Sequence, residues 1–309
     1  MDMLITENNT EILKSDTTAI ILTYNEEKHI ERCILSINQY VKKIIIIDSF
    51  SKDETVKIAK KYNAEVLQNH FINQSKQLNW GLNNIKITTN WILRIDADEF
   101  FTKELGEQVV KNLKIYNQDI SGISVNRKFI FLKKDINFGG TFPHKTLRIW
   151  RTGKGKCQDV WMDEQIIVDG KVVHIDENLI DHNLNKLSWW IKKHKTYSIR
   201  ESINYLLKKN DSQLNIESSV DNTKLKQGKK MKIYYKFPIF IRPIFLFLYS
   251  YIIKFGFLNG WQGFVLCILQ VLWFRFLVDI NIWQIERIIK KQKLSLQEAV
   301  KLKYGYEKI

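Results

Sequence analysis

The chain is 309 residues long, carries a formal net charge of +15 and is 45% hydrophobic. That length suits one catalytic domain of roughly 200 residues plus an appendage, and the apolar content argues against wholesale disorder. The basic excess asks for a partner: nucleic acid, anionic lipid or a phosphorylated substrate.

Cys33, Cys157 and Cys267 are far apart, odd in number and without CxxC spacing. This speaks against a disulfide framework or a zinc site and fits a reducing compartment. Met1–Ser15 is polar and acidic and lacks the apolar stretch of a secretory signal, so the expected location is the cytoplasm.

Thr17–Thr23 (TTAIILT) predicts a strand, and Ile30, Ile34, Leu35 and Ile37 recur at helical spacing within Lys28–Tyr40. Val41–Asp48 (VKKIIIID) predicts a parallel strand buried on both faces. A helix over Ser51–Tyr62, a strand over Ala64–Gln68, a helix over Asn73–Asn84 and a strand over Trp91–Ile95 follow. This alternation predicts an α/β fold with an open, mostly parallel sheet and helices on both faces. Gly122–Val125, Lys128–Leu132, Lys145–Trp150 and Lys171–Ile175 read as short strands added to it, and Leu187–Lys208 as a helix. Asn210–Lys236 is polar and lysine-rich. Beyond it lie two apolar arms, Pro243–Ile253 and Phe255–Phe274, joined at a cluster of Gly256, Gly260 and Gly263.

The strongest chemical signal is Asp96-Ala97-Asp98 at the end of the strand WILRI. Ligands of open α/β sheets bind beyond the carboxyl ends of the strands, and paired carboxylates there can hold a divalent cation and a ribose. A solvated turn is the plain alternative. Asp48 can accept from a nucleobase N–H or cap the next helix. Thr23-Tyr24-Asn25-Glu26-Glu27 has the same duality. No GxGxxG follows the first strand and no GxxxxGK[ST] occurs, which disfavours a dinucleotide fold and excludes a P-loop.

In order, TAIILTYNEEKHIERCILSI, IIIIDSFSKDETVKIAKKYNAEV, NQSKQLNWGL and WILRIDADEF resemble a family 2 glycosyltransferase of the GT-A (nucleotide-diphospho-sugar transferase) fold, in particular its lipopolysaccharide-core β-glucosyltransferase branch. The likeness covers about Thr17–Asn183. It implies sugar transfer from a nucleotide diphosphate donor, such as a UDP-hexose, with inversion and a divalent metal, Mg2+ or Mn2+. Thr23, Tyr24 and Glu26 then match the loop lining the base, and Asp48 the acid that reads it. Lys76 flanks the donor diphosphate, Asp96 faces the ribose and Asp98 binds metal. The general base falls in Trp161–Gln165: Glu164 matches the family glutamate, and Asp163 replaces its usual histidine. His182 matches a histidine that closes over the metal or the diphosphate. Lys145 and Arg148 could face a lipid-linked diphosphate or simply solvent.

Lys224, Lys226, Lys229, Lys230, Lys232 and Lys236 precede the arms, with Tyr234, Tyr235 and Phe237 interleaved. Such a collar suits an anionic leaflet, and no nucleic-acid motif accompanies it. The first arm is too short to span a hydrocarbon core of roughly 30 Å, and the second carries Asn259, Gln262 and Gln270. Helices lying in the membrane are therefore preferred to a transmembrane span or a buried dimerisation hairpin. The expected organisation is an extension (1–16), a GT-A domain (17–208), a basic linker (209–236) and a membrane-associated helical region (237–309). The expected function is an inverting glycosyltransferase acting on a lipid-linked saccharide of a bacterial surface glycan, at the cytoplasmic face of the inner membrane. A homo-oligomer is compatible with this. A catalytically silent membrane-docked GT-A scaffold is the alternative, but the complete set of acids favours the enzyme. A nucleotidyltransferase would want a glycine-rich basic loop where this chain has TYNEE.

Overall fold

The computed structural model describes residues 14–158, 164–210 and 233–306. Strands β1 (Ser15–Thr23), β2 (Val41–Asp48), β3 (Glu65–Gln68) and β4 (Trp91–Asp96) pair in parallel in the order β3-β2-β1-β4. Helices α1 (Ile30–Ile37), α2 (Thr55–Lys61) and α3 (Gln74–Asn84) connect them. The isoleucine run of β2 is explained by its alternation. Ile44 and Ile46 face a core shared with α1, α2 and α4 (Lys103–Ile115), whereas Ile47 faces Leu78 of α3 on the other side. A strand buried on both faces needs apolar residues at every position.

The sheet is mixed rather than mostly parallel. After β4 the chain turns through Ala97–Asp98 into β5 (Glu99–Phe101), which joins the far edge. Then come β6 (Ile120–Phe131), β7 (Lys134–Ile136), β8 (His144–Arg151), a small hairpin of β9 (Gly155–Cys157) and β10 (Ile166–Val168), and β11 (Lys171–Asp181). The sheet continues as β4-β8-β6-β11-β5, with β4–β8, β8–β6 and β11–β5 antiparallel and β6–β11 parallel. The two short strands expected within 122–132 are one strand, because Asn126 and Arg127 keep pairing with β8. β11 runs on past Ile175 to Asp181 across a register shift.

Helix α5 (Leu187–Asn210) packs against the C-terminal helices: its Ile203 and Leu206 share a core with Phe274, Val278 and Ile282. Helix α6 (Arg242–Ile253) leads to a sharp bend, then α7 (Gly256–Gln292) and α8 (Leu296–Tyr304). The bend needs its glycines. Gly260 sits at φ 69°, ψ −157°, a conformation open only to glycine. A Cβ on Gly256 would come within 2.8 Å of the Ser250 carbonyl oxygen. The second apolar arm does not end near Phe274, as its uncharged stretch suggests, but continues without a break to Gln292. By length and composition α7 could cross a membrane, and a third of its most apolar window is buried within the protein. The lysine collar before Ile233 lies outside the described residues.

Candidate active site

Register gathers the acids. Thr23 stands beside Asp48, Leu22 beside Asp96, and Asp48 beside Gln68, so the carboxyl ends of the four parallel strands share one edge. Asp48 is fully buried. Its Oδ1 accepts from Thr23 Oγ1 at 2.9 Å and from the Ser51 hydroxyl; its Oδ2 accepts from Ser51 N at 2.8 Å and Gln68 Nε2 at 3.2 Å. A carboxylate has about four acceptor sites, so these donors fill it. Asp48 thus closes the turn after β2 and does not cap α2, which starts only at Thr55.

Tyr24 is 56% exposed at the rim. Asn25 adopts a left-handed φ of 56° and binds the neighbouring loop through Lys52 N and Ser51 Oγ. Glu26 bonds His29 Nδ1 at 2.6 Å, and His29 Nε2 accepts from Leu184 N at 2.8 Å. With a backbone donor on Nε2, the proton of a neutral His29 must lie on Nδ1, directed at Glu26. Lys76 is exposed in the first turn of α3, whose cap is the Asn73 side chain accepting from Lys76 N.

Asp96 lies in an ionic network that the sequence did not announce. Its Oδ2 meets Arg148 at 3.1 Å and its Oδ1 meets Arg94 at 3.5 Å. Arg94 also holds Glu164 Oε1 at 2.8 Å. Glu99, fully buried, binds Arg148 and, at 2.9 Å, Arg127, which pairs with Asp181 at 2.5 Å. Burial pushes the Asp96 carboxyl up, but Arg148, Arg94 and Arg127 outweigh it and hold the group below the usual carboxylate range. Asp181 is pushed the other way, up to about 7, by burial and by the neighbouring Asp98 and Glu99 charges, against Arg127. Arg148, which could have faced a ligand or solvent, is buried in this network. Glu164 is positioned by Arg94, and Asp163 and Trp161 lie outside the described residues. The available signal was Arg94 itself, a lone cation inside the otherwise apolar strand WILRI.

Asp98 is partly exposed. Its Oδ2 accepts from Asn183 Nδ2 at 3.0 Å, and its Oδ1 has no partner among the described residues. Arg32 of α1 anchors the Asp98 loop to the end of β11, donating to the carbonyls of Asp98 (3.1 Å) and His182 (2.6 Å) and to His182 Nδ1 (3.2 Å). Arginine only donates, so the neutral His182 ring carries its proton on Nε2. Burial, then the Arg32 charge, lowers the His182 pKa, which favours that neutral form.

Among the described residues no three His, Cys, Asp or Glu side chains form a ligand set. The described residues therefore form no closed zinc-type site. A hard cation held by one carboxylate oxygen and completed by phosphate oxygens and water does fit Asp98. With Nδ1 taken by Arg32, a neutral His182 ring has an N–H rather than a lone pair at Nε2.

Residues 18–167 match the family model Glycosyl transferase family 2. An uncharacterized glycosyltransferase of Rickettsia felis is 24% identical over 259 residues, covering 80% of this chain and 83% of its own. One from Rickettsia bellii is 36% identical over 109 residues, which spans 35% of this chain and only about a third (36%) of that relative. Glycosyltransferase SunS of Bacillus phage SPbeta is 34% identical over 107 residues, 33% of this chain and 25% of its own. Glucosyl-3-phosphoglycerate synthase from Mycobacterium tuberculosis, solved with Mn2+ and UDP-glucose, aligns at 20% identity and a TM-score of 0.31 over 37% of this chain and 44% of its own. The family match and the mixed α/β sheet with its N-terminal parallel strands are those of the GT-A fold.

Proposed function

From a chain that carries a Glycosyl transferase family 2 domain at residues 18–167, we propose an inverting, metal-dependent hexosyltransferase that moves a sugar from a nucleotide diphosphate donor, a UDP-hexose, to a lipid-linked saccharide. The observation that carries this reading is Asp96-Ala97-Asp98 at the carboxyl edge of the parallel strands, with one oxygen of Asp98 free of partners among the described residues. In this reading Thr23, Tyr24 and the Asp48 turn border the base, and Asp96 faces the ribose. A divalent cation on Asp98 would neutralise the diphosphate as it leaves. His182 Nε2–H donates to a diphosphate oxygen. Glu164, with Asp163 beside it, removes the proton of the acceptor hydroxyl. The hydroxyl oxygen then attacks the anomeric carbon from the face opposite the departing nucleoside diphosphate.

Docking at the inner membrane, in a lipopolysaccharide-core or other surface-glycan route, belongs to the same proposal. So does the division into a catalytic domain up to about residue 208 and an apolar region from 237. It is supported by the apolar side chains crowded around the α6–α7 bend: Phe245, Ile253, Phe255, Leu258 and Trp261 are all at least half exposed. Soluble monomers rarely expose patches of that kind.

The test is a screen of nucleotide sugars for thermal stabilisation of the full chain with Mn2+ or Mg2+, followed by a transfer assay. A UDP-hexose should raise the melting temperature and be turned over; no shift and no transfer with any donor would refute the reading. Liposome flotation tests the membrane part. Salt should weaken binding only partly, since it screens charge but not apolar insertion. Complete release by salt alone would refute insertion.

A further inference from the structure

The bend between α6 and α7 is fastened to the catalytic sheet. Asn259 in the bend is buried, and every hydrogen-bonding position of its amide is used. Its Oδ1 accepts from Asn137 N at 3.0 Å and Phe138 N at 3.2 Å. Its Nδ2 donates to the carbonyls of Phe138 at 3.2 Å and Gly256 at 3.3 Å. Gly139 N donates to the Lys254 carbonyl at 2.8 Å, and a Cβ on Gly139 would stand only 3.6 Å from Gly256 Cα. Beside this clamp, Phe131 of β6 and Ile136 of β7 are buried against Leu266 of α7. Loop 137–143 and the bend are thus joined by polar and apolar contacts alike.

Register places this junction at the ligand edge. β8 runs antiparallel to β4 with Leu93 opposite Ile149, so the loop before His144 lies beyond the end of β4, where Asp96 stands. Across the sheet Glu99 pairs with Asp181, Asp181 with Phe129, and Phe129 with Ile136. Three strand spacings, about 14 Å, therefore separate the residue after Asp98 from the end of β7, and Asn137 comes next. Phe138, Phe255, Phe257, Leu258 and Trp261 are exposed along the loop and the bend. Lys133 and Lys254 are exposed among them, and Lys134 is half-buried. The single acid of residues 132–143 and 249–262 is Asp135, which pairs with Lys128 at 2.6 Å. Aromatic and aliphatic side chains interspersed with lysines complement the interface of an anionic bilayer.

Resting on the membrane-docking part of the proposed function, we infer that the catalytic domain itself enters the bilayer interface through loop 137–143. The loop and the α6–α7 bend dock as one surface, with the carboxyl edge of the sheet turned toward the lipid. Asn259 is the positioning residue that holds the loop in that surface. An acceptor carried by lipid then meets the site acids from the side on which it is anchored.

The experiment attaches a fluorophore to the full-length chain at Phe138→Cys, Trp261→Cys or Ile115→Cys; the native cysteines are buried and do not compete. Ile115 is the control. It is exposed near Asn117, whose carbonyl binds Arg151 opposite the start of β4, at the far edge of the sheet. The vesicles are phosphatidylethanolamine and phosphatidylglycerol with a lipid-borne quencher. Emission at 138 and 261 should fall by about half or more, and emission at 115 should not. Adding Asn259→Leu should abolish most of the quenching at 138 and leave that at 261; a merely structural role would lower the melting temperature without this split. Phe138→Glu leaves the backbone clamp intact and serves if Asn259→Leu does not fold. It should weaken vesicle binding roughly tenfold, whereas Phe138→Trp should bind as the wild type does. Quenching at 261 but not at 138 in the wild type overturns this inference and leaves the anchoring reading standing. So does quenching at 138 that ignores Asn259→Leu, or vesicle binding that ignores Phe138→Glu. No quenching at 261 refutes the anchoring reading and this inference with it, and a dimer in the same sample would assign the bend to a second copy of the chain.

Discussion

At the carboxyl edge of the sheet, Arg94, Arg127 and Arg148 meet Asp96, Glu99, Asp181 and Glu164 beside the partly exposed Asp98. In the C-terminal helices, Arg242 meets Asp279, and Arg275 meets Glu201, beneath a surface of Phe, Ile and Trp. The two regions put the same chemistry to opposite uses. At the sheet edge four carboxylates share three arginines, so the network orders its acids while Asp98 stays outside it. In the helices the pairs match one for one. Arg242 donates through both Nε and Nη2 to Asp279, whose other oxygen accepts from Phe240 N at 2.9 Å. Tyr205, Tyr234 and Tyr235 surround the Arg242 guanidinium. Such a pair cannot recruit a ligand, and it pins α6 to α7 while the apolar side chains face outward.

The largest expected effect breaks the closed pair. Arg242→Met leaves Asp279, which has no exposed surface, without its counter-charge and should cost about 3–5 kcal/mol of stability. Denaturant unfolding in detergent measures it. Replacing both partners, Arg242→Met with Asp279→Leu, should recover most of the loss, because two apolar groups carry no desolvation cost. If the single variant is as stable as wild type, the pair does not pin the helices.

Breaking the open network should instead affect turnover and spare the fold. Asp98→Asn removes charge but little volume and should lower transfer by roughly 100- to 1,000-fold, the scale of a lost transition-state charge contact, with the melting temperature unchanged. EDTA should inhibit the wild type comparably. Turnover that ignores both would mean that Asp98 does not serve a cation.

Glu164 tests the border of the same network, since one of its oxygens is already held by Arg94. Glu164→Gln should cut turnover at least about 100-fold with nucleotide binding nearly intact, the low end for removing a general base. Asp163→Asn should cost less. The reverse order would move the base to Asp163 and leave Glu164 as the residue that orients Arg94.

The parallel half of the sheet was legible in the sequence because alternating faces write themselves as β-rich runs such as IIIID, and its acids because they end those runs. The antiparallel half was less so. β5 is only Glu99–Phe101, too short to show a period, and Asn126 and Arg127 look like a break between strands although they pair through. The arginine network was hidden because its members, Arg94, Arg127 and Arg148, come from three strands that only the fold brings together. In the C-terminal arms the apolar runs were plain. That α7 continues to Gln292 was not, because Arg275 and Asp279 look like an end in sequence and are internal pairs in the fold.

The smallest expected effect concerns Asp48, where the two regions' uses of a carboxylate converge: it stands on the ligand edge yet is as fully occupied as Asp279. Asp48→Asn changes one oxygen to an amide. If that amide replaces Oδ1, the Thr23 and Ser51 hydroxyls can rotate to accept from it, while Oδ2 keeps the Ser51 N and Gln68 donors. No buried group is then left unpaired, and the loss is the difference between charge-assisted and neutral bonds, about 1 kcal/mol or 2–4 °C in melting temperature. If Asp48 only closes its turn, the affinity for uridine should stay within about twofold of wild type. If it also reads the base, one of its present donors, Gln68, must give way to the base N–H. Uridine affinity should then fall roughly tenfold at that same small stability loss, and Gln68→Ala, which clears the position, should leave uridine binding intact or tighten it. A uridine affinity unmoved by either substitution would place Asp48 with Asp279, as a carboxylate whose work is complete inside the protein.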